Sequence, residues 1–141
     1  MNRKGFTLVE ILIVVIILGI LAAIVIPQFT EASNDARESA LASDLQTLRS
    51  QLELYRVQHL DTYPGANMVT ELTSKTQQDG TVDAAGNLGP YLQKFPTNDF
   101  VTNGNTVTTG TDAAGTAGAT GWMYNTATGQ VWPGDAKHAG L

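Results

Sequence analysis

"KGFTLVEILIVVIILGILAAIVIPQF", residues 4–29, decides the architecture. From Phe6 to Ile26 the only polar residues are Thr7 and Glu10. A helix rising ~1.5 Å per residue over this run is ~31 Å long, which matches a hydrocarbon core of ~30 Å. Arg3 and Lys4 precede the run, and the next basic residue is Arg37. The positive-inside rule keeps the short leader in the cytoplasm and sends the remainder across the membrane. A cleaved secretory signal fits poorly, because its apolar run is only about 7–15 residues and ends at a small-x-small site. Here the run is longer and exits through Pro27-Gln28-Phe29. A permanent anchor fits the length but does not explain Glu10, since a carboxylate at the centre of a membrane span costs about 2.5–3.5 kcal/mol. Either Glu10 lies close enough to the headgroups to be tolerated, or something positive meets it.

Outward from the membrane, "TEASNDARESALASDLQTLRSQLELYRVQHL" (residues 30–60) is polar but periodic. Leu41, Leu45, Leu48, Leu52, Tyr55 and His59 alternate at spacings of four and three, which marks one stripe of an amphipathic helix. Ala36 and Ala40 extend that stripe toward the membrane as small residues. One helix is therefore expected from near Phe6 to near Leu60, stopped by Asp61-Thr62-Tyr63-Pro64-Gly65. The stripe needs a cover, and the following segment is the candidate. "ANMVTELTSKT" (66–76) predicts a short helix with Asn67 as N-cap. "GNLGPYLQKFPTNDF" (86–100) predicts an ordered loop pinned by Tyr91, Leu92, Phe95 and Phe100. "NTVTTGTDAAGTAGATG" (105–121) has the composition of a surface loop. "GWMYNTATGQVWPGD" (121–135) predicts a β-hairpin with arms Trp122-Met123-Tyr124 and Gln130-Val131-Trp132. His138 falls in a tail, "GDAKHAGL", expected to fray.

"RKGFTLVEILIVVIILGILAAIVIPQF" resembles the processing and assembly signal of type IV pilins and of type II secretion pseudopilins. The likeness covers residues 2–29: a short basic leader, Gly before Phe, Thr-Leu-Val-Glu, an unbroken apolar helix and a late Pro. It implies that a prepilin peptidase/N-methyltransferase cuts between Gly5 and Phe6 and methylates the new Phe6 amine. It also implies that Glu10 pairs with the Phe6 amine of a neighbouring subunit as helices bundle into a homo-oligomeric filament. An unpaired carboxylate in an apolar bundle is unfavourable, so Glu10 would set the stagger between subunits. Gly19 and Pro27 are points where the helix loosens on assembly in the family, although close packing and a membrane exit explain them equally well.

The implied fold is α+β and pilin-like: a long amino-terminal helix, half in the membrane, packed against a small head with loops and a hairpin. Its parts are a leader (1–5), a membrane or filament-core half (6–29), an amphipathic half (30–62) and a head (63–141). "LELYRVQHLDTYPG" and "GPYLQKFPTNDF" resemble the major pseudopilin of a type II secretion system more than a motility pilin. The implied role is a structural subunit of a periplasmic pseudopilus that helps export folded proteins. Its partners would be minor pseudopilins and an inner-membrane assembly platform. The alternative is a surface pilin for adhesion, motility or DNA uptake. The expected location is a single pass through a bacterial inner membrane with the head in the periplasm.

Composition excludes several other classes. The 141 residues carry a net charge of −5, with the excess acid beyond Thr30 and no basic stripe, which argues against nucleic-acid binding. The chain has no cysteine, so disulfides, thiol nucleophiles and Cys-based zinc sites are absent. Major pseudopilins often bind calcium in a late loop, and Asp79, Asp83, Asp99, Asp112 and Asp135 are available. No Asp-x-Asp-x-Asp ladder with the EF-hand glycine occurs, so solvated loop acids are the simpler reading and no ligands are assigned. His59 and His138 are the only histidines, and His59 is read as packing or capping. Ser33, Ser39, Ser43, Ser50 and Ser74 lack a nucleophile elbow, and Asp79 with Asp83 is the nearest approach to a carboxylate pair. An enzymatic role is not expected.

Overall fold

The computed structural model describes residues 5–110 and 120–141. The chain divides into two compact units, Met1–Glu38 and Ser39–Leu141. One helix, α1 (Leu8–Gln58), contributes to both. Polarity changes at Phe29-Thr30, whereas the division by packing falls after Glu38, because residues 30–37 are helical yet uncovered.

In the first unit every described residue up to Arg37 is exposed. Apolar side chains from Leu8 to Phe29 stand in the open, and this part of α1 is long and apolar enough to cross a membrane. Pro27 sits inside the helix. It has no N–H, so the carbonyl of Ala23 four residues earlier loses its usual partner. Thr30 Oγ1 back-bonds to Ile26 O at 3.2 Å.

The second unit is built on the predicted stripe. Leu41, Leu45, Leu48, Leu52, Tyr55 and His59 are all buried. Each large apolar side chain removed from water contributes about 1.5–3 kcal/mol. The stripe stops at Leu41: Ala36 and Ala40 are exposed, so the expected extension does not occur. Having no partner element at that level, the small residues face outward. The helix ends at Gln58, near the expected Leu60, but by another device. After Gln58, Leu60 (φ 54°) and Asp61 (φ 63°) both enter the left-handed region, so the reversal precedes Pro64 and Gly65. Asp61 N closes on Arg56 O at 3.0 Å, and Arg56 Nε pairs with Asp61 Oδ1 at 2.8 Å.

Helix α2 (Met68–Thr73) buries Met68 and Leu72 against the stripe. Asn67 precedes it but makes no capping bond through its side chain. Glu71 reaches back instead and accepts Gly65 N at 3.1 Å. The loop after α2 is pinned as predicted, with Phe95 buried and Tyr91, Leu92 and Phe100 packed on the core. The hairpin is present as β2 (Trp122–Asn125) and β3 (Val131–Pro133), antiparallel with Met123 opposite Trp132.

The segment 105–121 departs from the expected surface loop. Val107–Gly110 forms β1, which pairs parallel to β2 and gives a three-stranded sheet in the order β1-β2-β3. Residues 111–119 of that segment lie outside the described residues. The join between β1 and β2 depends on a glycine: a Cβ at Gly121 would lie 1.9 Å from Gly104 O, so two backbones meet where no side chain fits. The core is completed by Trp122, whose indole donates to Pro96 O at 3.1 Å, and by Tyr124, whose hydroxyl donates to Pro64 O at 2.9 Å.

Candidate assembly and processing site

The start of α1 carries the residues that the sequence singles out. Gly5, Phe6 and Thr7 precede the helix in irregular conformation, and Phe6 is 83% exposed. Thr7 N and Thr7 Oγ1 donate to Glu10 Oε2 at 2.8 and 2.7 Å, while Glu10 N donates to Thr7 Oγ1 at 3.3 Å. This reciprocal arrangement is a capping box, in which a Thr and the Glu three residues later satisfy each other's orphan donors. The Gly5-Phe6 bond therefore stays outside the helix, in the accessible backbone that a peptidase requires. Glu10 is exposed, so among the described residues none covers its carboxylate. Thr7 is the internal partner of Glu10 that the Thr-x-x-Glu spacing signals.

The glycines are informative by what surrounds them. A Cβ at Gly5 or at Gly19 would meet nothing within 4 Å. The chain's own packing makes no demand for glycine at either position, so any such demand comes from another molecule.

The head carries the remaining candidates and disperses them. His59 is buried, stacked on Tyr55 with centroids 3.6 Å apart. Its Nδ1 lies 2.8 Å from Tyr55 O and its Nε2 2.9 Å from Thr76 Oγ1. The carbonyl can only accept, so Nδ1 carries the proton, and both ring nitrogens are engaged in structure. Asp79 and Asp83 each accept from the backbone two residues ahead, Thr81 N and Ala85 N at 2.9 Å. These bonds hold both carboxyls below the usual range, and neither acid faces the other as a catalytic pair. Tyr55, donating to Glu71 Oε2 at 2.8 Å, has its ionisation pushed up, first by burial and then by that carboxylate.

The tail corrects an expectation. His138 is buried rather than frayed, with its ring against Phe100 and its Nδ1 hydrogen-bonded to Asp135. Asp135 Oδ1 also accepts Asn98 Nδ2 at 2.8 Å, and the buried Asn98 donates to Gly121 O at 3.0 Å. Burial works to raise the Asp135 carboxyl, but the bonds from Asn98 and His138 outweigh it and hold it low. Asp99 is exposed, and Asp112 lies outside the described residues. Among the described residues no group of three His, Asp or Glu side chains converges to hold a metal.

Residues 1–26 match the prokaryotic N-terminal methylation motif. The type II secretion system core protein G of Pseudomonas aeruginosa is 33% identical over 95 residues, 67% of this chain and 66% of that protein. The protein of the same name in Escherichia coli is 29% identical over 104 residues, 71% of each chain. The chain belongs to the type IV pilin-like family. Its matches span about two thirds of the length of these secretion relatives. A shorter likeness, 38% over 58 residues, joins it to the type IV narrow pilus major component PilA5 of Thermus thermophilus, covering 41% of this chain and 50% of that one. No solved structure matches the chain. A pilin-like subunit with one long apolar helix and a small mixed-sheet head accounts for the whole described architecture.

Proposed function

We propose that this pilin-like chain is a structural subunit of a type II secretion pseudopilus. A prepilin peptidase cuts it between Gly5 and Phe6 and methylates the Phe6 amine, and the subunit then assembles through α1 into a periplasmic filament. The observation that carries this reading is the amino-terminal geometry: an exposed Gly5-Phe6 bond held outside the helix, with Glu10 exposed one turn further on. Cleavage removes Arg3 and Lys4 and creates a cation four residues before Glu10. In the apolar surroundings of a helix bundle that carboxylate favours only the register in which a neighbour's amine neutralises it. The open space at Gly5 and Gly19 fits residues chosen for contact with a peptidase and with neighbouring helices. Before cleavage the chain is a single-pass inner-membrane protein with its leader in the cytoplasm and its head in the periplasm. Minor pseudopilins and an inner-membrane platform are the partners that such assembly requires.

The core proteins G of Pseudomonas aeruginosa and Escherichia coli match over 67% and 71% of the chain, against 41% for the pilus component, which favours a secretion filament over a surface fibre. A pilin for adhesion, motility or DNA uptake is the second reading, favoured by the pilus likeness alone. Mass spectrometry of the amino-terminal peptide from sheared filaments tests processing: the expected chain begins at methylated Phe6, and one beginning at Met1 in peptidase-positive cells overturns it. Deletion separates the two uses. Loss of secreted enzymes supports the pseudopilus, and intact secretion with loss of surface fibres supports the pilus.

A further inference from the structure

Residues 30–37 are helical, largely polar and uncovered, and one face of this stretch runs back into the apolar half of α1. Val25, Ile26, Phe29, Thr30, Ser33, Asn34 and Arg37 line a shallow notch of ≈ 440 Å³ there. Ile26, Phe29, Ser33 and Arg37 recur at spacings of three and four, so the notch is a single helix face. Its chemistry is graded. The inner end is apolar, the middle carries two hydroxyls and an amide, and the outer end is a guanidinium. Among the described residues, Thr30 alone of the four polar side chains has a partner, Ile26 O. Arg37 is the only basic residue between Lys4 and Arg49. Glu31, Asp35 and Glu38 are the nearest acids in sequence, but none stands three or four residues away, where a helical ion pair forms. Arg37 lines the notch with residues that precede it, so its side chain leans toward the membrane, as helical side chains do. With Phe29 at the interface, where aromatic rings collect, the Arg37 backbone stands about 12 Å further out. A guanidinium reaching back from there meets a headgroup layer about 5–8 Å deep.

We propose that this notch binds an anionic phospholipid from the periplasmic leaflet. An acyl chain lies along Val25, Ile26 and Phe29, the glycerol and ester oxygens meet Ser33 and Asn34, and the phosphate pairs with Arg37. A zwitterionic headgroup fits less well, because no carboxylate lines the notch to receive its ammonium. A bound lipid fixes the depth of the waiting subunit. It must be shed before another helix covers the same face, so anionic lipid holds subunits in the membrane pool. The inference rests on the single-pass membrane reading and adds a ligand to it.

The test reconstitutes the full-length, unprocessed chain into vesicles of equal parts phosphatidylglycerol and phosphatidylcholine. After gentle release in detergent, native mass spectrometry counts the lipids that each chain retains. The expected result is enrichment of phosphatidylglycerol by about fivefold, the effect of one cation beside an anionic lipid surface. Arg37→Gln removes the enrichment, Arg37→Lys keeps it, and Lys75→Gln, at an exposed position on the head, leaves it unchanged. Equal retention of both lipids by the unmodified chain, or undiminished enrichment in Arg37→Gln, overturns the lipid site and leaves the membrane reading intact. An equal loss from Lys75→Gln shows attraction spread over the whole chain and overturns the site as well. Enrichment that persists in Arg37→Gln while filaments are lost assigns the cation to a neighbouring subunit instead. A chain that does not enter the vesicles overturns the membrane reading itself.

Discussion

The two units of this chain satisfy their apolar residues in opposite ways. In Met1–Glu38 the side chains from Leu8 to Phe29 touch nothing that covers them. In Ser39–Leu141 a comparable set of Leu, Tyr and Trp side chains is sealed into one cluster, with Leu48, Trp122 and Leu72 fully enclosed. The head is a folded object on its own terms, whereas the membrane half is complete only in lipid or against other helices. Substitutions should therefore divide by readout: those in the first unit alter assembly, and those in the second alter unfolding.

The strongest test of that division is Glu10→Leu. In the proposed filament Glu10 pairs with a neighbour's Phe6 amine, and removing one partner of such a desolvated pair costs about 3–5 kcal/mol. Filament yield should drop by two orders of magnitude or more, with membrane insertion and head unfolding unchanged. Normal filaments from Glu10→Leu would break the comparison at its root. Next comes Leu48→Ala, which leaves a cavity in the head core and should destabilise the head by about 3 kcal/mol in denaturant unfolding. The matched control, Ile17→Ala, should leave head unfolding where it was.

A smaller effect belongs to the tail. Asp135→Asn weakens the bonds from Asn98 and His138 and should lower head stability by about 1–2 kcal/mol. The folded carboxyl is held low, so its contribution is present above the unfolded pKa of about 3.9 and is lost as pH falls through the lower folded value. Unfolding midpoints of the unmodified head measured from pH 7 down to pH 2 should converge with those of Asp135→Asn only at the acid end. The least effect is Thr7→Val, which removes the hydroxyl of the capping box and should reduce protection of the first turn by about 1 kcal/mol in amide exchange. The head should show no change.

What the sequence revealed follows the range of the interactions involved. The stripe from Leu41 to His59 was legible because a helix repeats its buried face within a few residues. The hairpin was legible because both arms and the turn lie within about a dozen residues. Strand β1 was not, since Val-Thr-Thr-Gly is an alternately exposed edge whose identity depends on pairing with Trp122 to Asn125 across the intervening segment. The tail was misjudged for the same reason. Gly, Asp and Lys around His138 have the composition of a loose end, and only Asn98, far back in the chain, supplies the partner that orders it. At the amino terminus Gly5, Phe6 and Glu10 stand within a motif that residues 1–26 match as a whole. Thr7 was equally visible, because Thr-x-x-Glu is the spacing of a capping box. The left-handed turn that ends the helix was not legible, because Leu60 is a poor candidate for such a residue on sequence grounds.

The open surroundings of Gly19 and of the apolar side chains near it bear on how such a chain changes over generations. A residue in the head answers first to its own neighbours, so a drifting core can be repaired by a second change in the same gene. A residue on the bare half of α1 answers to copies of itself and to whatever else shares the bundle, so each change is felt at every repeat of the filament at once. A change on that half is therefore tested only against other molecules, and no second change inside the subunit can compensate it.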